Sequence, residues 1–205
     1  MPCGEGRIAL ELARRGYAVT GLDRSRVLLD QARERARARN LDVEWLEADM
    51  WGPGFPADRR FDGAICLWGS FGYGTEEQDE AFLRRLAEVL PPGANLVLDT
   101  HVAETLLPQW EPRSWRQIGD VLVCEERRWA VETGRVETEW TLSSENRREV
   151  RHSSIRIYTY PELVKLLSDS GFEDCSAFGS PDLEAFELGS SRLLLAATRG
   201  GESPH

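Results

Sequence analysis

No apolar run in this 205-residue chain approaches the length of a membrane span, so a membrane-spanning helix is excluded. Nothing at the N-terminus resembles a secretory signal, and a cytoplasmic location is expected. Cysteine is scarce and scattered: Cys3, Cys66, Cys124 and Cys175 form no C-x-x-C pair, which argues against a zinc site or a disulfide framework. No metal is expected. Positive charge is in deficit, with 25 Lys and Arg against 35 Asp and Glu, for a formal net charge of −10. Tight binding to a phosphate backbone depends on clustered cations that release counterions, so a small-molecule substrate is favoured over nucleic acid. No internal repeat is visible. The length suits one domain, and 41% hydrophobic residues among interspersed charge exclude a wholly disordered chain.

What is present begins with Pro2 to Asp23. Gly4 and Gly6 read as a tight turn, Ile8 to Arg15 as a helix with Ile8 and Leu12 on one face, Gly16 as its stop and Tyr17 to Leu22 as a short strand. Asp23 then falls at a strand end, where a carboxylate can accept hydrogen bonds from both hydroxyls of a ribose. Glycines let a ligand approach the backbone, and the following helix offers unpaired N–H groups there. The spacing Gly4-Glu5-Gly6-Arg7-Ile8-Ala9 also fits the dinucleotide pattern G-x-G-x-x-G/A, and glycines that merely turn the chain would look the same.

Ser25 is a suitable N-cap for a helix to about Arg39, whose basic run from Arg33 reads as a solvated face. Val43 to Ala48 is the next strand, ending in Asp49 and Met50. Asp49 either faces a ligand at the sheet's edge or caps the turn. Residues 51–60, rich in proline and glycine, read as a loop, and Phe61 to Leu67 as a strand buried on both faces. Trp68 to Tyr73, within the alternate-glycine segment 68–74, suits either the wall of a cleft or a surface loop. Thr75 to Gln78 has capping-box spacing for a helix carrying Phe82, Leu86, Val89 and Leu90, which Pro91-Pro92-Gly93 ends. Ala94 to Asp99 is a strand, and Thr100 and His101 lie past its C-terminal end, where ligands bind in open α/β sheets.

This alternation predicts an α/β fold: a mostly parallel, doubly wound sheet with helices on both faces. The rhythm then changes to three β-like runs, Val121 to Ala130, Arg135 to Leu142 and Val150 to Tyr158, expected as an antiparallel meander. Trp110, Trp115, Trp129 and Trp140 either form its small core or cover the cleft and meet substrate or a second subunit. A helix opening at Pro161 and stopping at Gly171 follows. Glu173 to Phe178 and Ser191 to Thr198 are too close for a crossover helix, so they pair antiparallel, and Gly200 to His205 is expected to be a loose tail.

The ordered set resembles the class I S-adenosylmethionine-dependent methyltransferases. Cys3-Gly4-Glu5-Gly6 is similar to that family's glycine motif, Asp23 to its ribose-binding acid, Ala48-Asp49-Met50 to its adenine-site segment and Phe61 to Leu67 to its fourth strand. The final pair is similar to the family's reversed last strand. In that family a strand precedes the glycine loop; only Met1 to Cys3 stands in its place here, and the family's acid two positions before the cysteine falls on Met1.

The resemblance implies one methyltransferase-like domain over 1–205, with residues 112–158 as an antiparallel β insert or lid after the fifth strand. It implies S-adenosylmethionine as cofactor, held by Cys3, Gly4, Gly6, Asp23, Arg24, Asp49, Met50 and Leu67, and a small acceptor against Trp68, Tyr73 and Trp115. His101 is the candidate base, or a structural histidine. A nicotinamide-dependent oxidoreductase and a non-catalytic scaffold are the alternatives, and a homodimer is left open.

Overall fold

Residues 1–201 are described by the computed structural model. Its first half alternates as the apolar periodicity requires: α1 (Arg7–Arg14), β1 (Thr20–Asp23), α2 (Arg26–Ala38), β2 (Glu44–Glu47), β3 (Gly63–Cys66), α3 (Glu76–Val89) and β4 (Asn95–Thr100). Local chemistry starts the helices. The Ser25 hydroxyl accepts the Leu28 N–H, and at α3 the Thr75 hydroxyl and Gln78 amide each accept the other's backbone N–H. A capping pair of this kind contributes about 1 kcal/mol.

The strands do not form the single, mostly parallel sheet that the alternation predicts. β1 and β2 make a parallel pair, while β3, β4 and two later strands, β9 (Phe172–Phe178) and β10 (Leu193–Arg199), make a mixed sheet in the order β3-β4-β10-β9. β10 runs antiparallel to both neighbours, as the short connection demands. Residues 1–3 lie between the two sheets: the Cys3 N–H donates to Leu22 O at 2.8 Å and the Met1 amino group to Ile65 O at 2.5 Å. These bonds stitch the sheets without a ladder. β3 is also less enclosed than expected, since Gly63 is exposed.

Leu96, Leu98, Leu193 and Leu195 of β4 and β10 share one core with Phe82, Leu83 and Leu86 of α3 and with Leu163 and Leu167 of α5 (Tyr160–Asp169). Each side chain is at most 1% exposed. Burying one contributes roughly 1.5–3 kcal/mol, so this spine fixes the strand ends above it. Gly200 donates to Gly171 O at 3.0 Å and is buried, so it is not part of a loose tail; residues 202–205 of that expectation lie outside the described residues. No helix among the described residues is long and apolar enough to cross a membrane.

After β4 come a single turn of helix, α4 (Ala103–Leu106), a 3-10 turn (Leu107–Gln109) and an antiparallel sheet of four strands rather than three: β5 (Arg113–Ile118), β6 (Val121–Ala130), β7 (Arg135–Ser144) and β8 (Arg147–Arg156). It follows the fourth strand, because residues 1–3 do not count as one. β5 lacks an alternating apolar face, and Arg113, Arg116, Gln117 and Ile118 are exposed, which hid it from a periodicity argument. The tryptophans do not form a common core: Trp115 is opposite Cys124 and Trp140 opposite Glu125, adjacent β6 residues that point to opposite faces. Glu125, 1% exposed, is neutralised by ion pairs to Arg116 and Arg127.

One end of this sheet is fastened to the aromatic loop. Arg156 donates its backbone N–H to Gly72 O at 2.7 Å, and Arg135 Nη1 donates to Gly74 O at 3.1 Å. Beneath that junction Asp79 is fully buried. Its Oδ2 accepts the Tyr158 hydroxyl at 3.0 Å, while Oδ1 and the nearby Trp51 Nε1 have no hydrogen-bond partner among the described residues.

Burial pushes the Asp79 carboxyl up to about 6, against the opposing Tyr158 bond. The folded chain therefore holds this proton where the unfolded chain, near pH 4, has lost it. The group's stability contribution falls as pH rises from about 4 through about 6, by on the order of 3 kcal/mol. Replacing Asp79 with Asn is expected to stabilise the protein near pH 7.5 and to lose about half of that advantage by pH 5. Urea denaturation of both proteins at the two pH values measures this difference.

Candidate functional site

The glycine loop is held by a carboxylate. Gly4 and Gly6 have φ of +53° and +81°, and α1 begins directly after them. The Gly4 N–H donates to Asp23 Oδ2 at 2.7 Å and the Ser25 N–H to Asp23 Oδ1 at 2.8 Å, so Asp23, 5% exposed, ties the loop to the start of α2. Each oxygen retains a second lone pair for a ligand hydroxyl.

The two glycines serve different ends. A Cβ on Gly4 would meet nothing within 4 Å, so that position opens onto free space. A Cβ on Gly6 would lie 2.6 Å from the Trp45 ring and 3.0 Å from Ala32 Cβ, and one on Gly21 would lie 2.7 Å from the same ring. Gly6 thus lets Trp45 of β2 close against the loop. Cys3 lines the same corner as a neutral thiol, since burial, with Asp23 assisting, pushes its pKa up to about 11.

Across from Asp23, Asp49 Oδ1 accepts the Trp51 N–H at 3.0 Å, so it does cap its turn. Its Oδ2 lies 3.9 Å from Arg24 Nη1, an exposed pair worth at most about 1 kcal/mol. Met50 is 5% exposed and belongs to the core cluster.

The third wall rises from the ends of β3 and β4. Leu67 is half-buried; Trp68 is 58% exposed with φ +64°, a left-handed conformation that costs a non-glycine residue about 1 kcal/mol or more. Asp99 holds that conformation. Its Oδ2 accepts the Trp68 N–H and an Arg192 Nη1–H, both at 3.2 Å, and its carbonyl accepts the Gly69 N–H at 2.9 Å. The guanidiniums of Arg7 and Arg192 stand 4.1 and 5.3 Å from the Trp68 ring centroid.

His101 is exposed beside this group. Partial desolvation lowers its pKa from 6.5, with Asp99 opposing and Arg192 reinforcing, so the ring is neutral at pH 7. The Thr105 hydroxyl donates to Val102 O at 2.9 Å and therefore faces His101 Nδ1, at 3.5 Å, as an acceptor. The proton belongs on Nδ1, leaving the Nε2 lone pair free.

Thus Cys3, Gly4, Gly6, Asp23, Arg24, Asp49, Leu67, Trp68 and His101 lie on the glycine loop or at strand ends. Tyr73, 49% exposed, stands on the loop clamped by the antiparallel sheet. Trp115 is 74% exposed on the outer strand β5, and no hydrogen bond or aromatic stack among the described residues ties it to the cleft. Two surface concavities occur elsewhere, over β6–β8 around Glu137 and Glu139 and beside α5 around Val164 and Phe172. Neither gathers the glycine loop and strand-end acids, so the site is placed at the strand ends. Sequence reasoning missed Asp99, Arg7 and Arg192. Asp99 was within reach of the strand-end rule that selected His101; Arg192, distant in sequence, carried no local signal.

Solved methyltransferases share this α/β fold. A crystal structure of an S-adenosylmethionine-dependent methyltransferase from Clostridium acetobutylicum superposes with a TM-score of 0.82 at 16% identity, over 98% of this chain and 82% of that one. The S-adenosylmethionine-bound amino pentose methyltransferase CalS10 from Micromonospora echinaspora superposes at 0.69 and 22%, over 97% and 80%. Residues 1–93 match the family model of a methyltransferase domain. The demethylmenaquinone methyltransferase of Thermus thermophilus is 40% identical over 97 residues, 46% of this chain and 42% of the relative. The chain spans less than half the length of such curated relatives.

Gly4→Ala is expected to cost about 1–2 kcal/mol, from backbone strain alone. Gly6→Ala adds displacement of Trp45 and should cost roughly 2–4 kcal/mol. Urea melts of the two variants, with indole fluorescence reporting the Trp45 environment, measure the difference.

Proposed function

We propose that the chain binds S-adenosylmethionine between the glycine loop and the strand ends and transfers its methyl group to an O, N or C nucleophile of a small molecule. The observation that carries this is the Asp23 carboxylate fixed against the Gly4 N–H, with open space where a Gly4 side chain would stand. The methyltransferases named above, one with S-adenosylmethionine bound, support this cofactor over a nicotinamide.

Asp23 accepts the ribose hydroxyls through its second lone pairs. Gly4, Gly6 and Cys3 give the cofactor's amino-acid portion a close backbone approach, and Leu67 borders it. Asp49 takes the adenine amine, Arg24 covers the base, and Met50 contributes backbone. When bound, the cofactor supplies an already activated methyl group, so the protein's main task is alignment. Trp68 and Tyr73 orient the acceptor. His101 Nε2 takes the proton of an acceptor that must lose one. The sheet β5–β8, within residues 112–158, serves as a lid on a single domain, and the exposed Trp115 and Ile118 edge is where a homodimer would form. Four free cysteines suit a reducing cytoplasm.

Calorimetric titration with S-adenosylhomocysteine tests the reading. Micromolar binding is expected, weakened about 30-fold or more by Asp23→Asn, which removes a charge-assisted contact of about 2 kcal/mol. No binding by the wild-type chain would overturn it. With an oxygen acceptor, His101→Ala should lower kcat by roughly a hundredfold or more.

A further inference from the structure

We propose that Arg7 and Arg192, gathered over the indole of Trp68, hold a carboxylate of the methyl acceptor, so that the acceptor is a small carboxylic acid. The proposal rests on the methyltransferase reading and adds the substrate's class.

Charge gives the first reason. In a chain of net charge −10, two guanidiniums share one exposed tryptophan. Asp99 is committed to Arg192 at 3.2 Å, and Glu5, the acid beside Arg7, pairs instead with Arg35 at 2.9 Å. Arg7 has no ion-pair or hydrogen-bond partner among the described residues. Arg7 thus keeps its guanidinium N–H groups without a hydrogen-bond partner among the described residues, with only the through-space charge of Glu5 beside it.

Geometry gives the second. Asp99 engages only Nη1 of Arg192, which leaves the Nε–Nη2 edge without a partner among the described residues. That edge offers two parallel N–H groups, the pattern a carboxylate accepts bidentately. Arg192 is also pre-set, because the same Asp99 oxygen fixes the Trp68 backbone, so binding an anion there costs little side-chain freedom. The exposed Trp68 ring supplies an apolar platform beside the cations for the acceptor's body.

A carboxylate has two sources here, the acceptor and the cofactor's own amino-acid end, and binding separates them. Benzoate and its neutral isostere benzamide are titrated by ligand-observed NMR into the protein saturated with S-adenosylhomocysteine. Benzoate is expected to bind in the millimolar range and at least about tenfold more tightly than benzamide. Arg7→Gln and Arg192→Lys should each erase most of that preference; the lysine keeps Asp99 paired and the chain folded, which circular dichroism verifies. Affinities for S-adenosylhomocysteine and for 5′-methylthioadenosine, which lacks the carboxylate, should keep their wild-type ratio in both variants.

Equal binding of benzoate and benzamide, or no binding of benzoate, overturns the proposal. So does a loss of S-adenosylhomocysteine affinity with 5′-methylthioadenosine unaffected, which would assign the guanidiniums to the cofactor. Benzoate preference in a chain that does not bind S-adenosylhomocysteine would keep the anion site and overturn the methyltransferase reading; the converse result spares that reading and removes the site.

Discussion

The Asp23 carboxylate is the constraint on which the cleft depends. Its two oxygens take the N–H groups of Gly4 and Ser25, which fixes the glycine loop relative to the α2 N-terminus. Backbone N–H groups that would otherwise point in variable directions are thereby ordered before any ligand arrives. This is pre-organisation at the level of the main chain, and it explains why a nearly buried acid can serve a site at the surface. The same corner is closed from below by Trp45, which fits only because Gly6 and Gly21 have no side chains. Loop conformation, strand pairing and ligand access thus rest on a few atoms around one strand end.

Asp99 performs a parallel task at the opposite wall. One carboxylate oxygen restrains the left-handed backbone of Trp68 and the guanidinium of Arg192 together. Because Arg192 precedes β10 and Trp68 follows β3, the contact joins the first half of the chain to its last strand through β4. The core of β4, β10, α3 and α5 keeps those ends in register. The glycine-loop wall and the Trp68 wall are consequently parts of one packed body.

Much of this was legible in the sequence where local rules act alone. Capping residues at Ser25, Thr75 and the start of α5, the stops at Gly16 and Gly171, and the apolar stripe of α3 placed those helices within a residue or two. Asp23 and His101 fall at strand ends, as the alternation of elements predicts. The missing pieces depended on contacts distant in sequence. Residues 1–3 stitch two sheets with one bond on each side, which leaves no pattern to read. β5 is charged on both faces and held as a strand only by pairing with β6. Arg192 and Arg7 both approach the Trp68 ring although nearly the whole chain separates them.

The sheet β5–β8 shares no ladder with the other two sheets and is fastened at its Arg135 and Arg156 end to Gly72 and Gly74. Load on the free strands therefore reaches the α/β body through the Gly72–Gly74 loop, the Arg156 ion pairs to Glu76 and Glu162 and the chain connections at either end, so substitutions on those strands can leave the glycine loop and its carboxylate untouched.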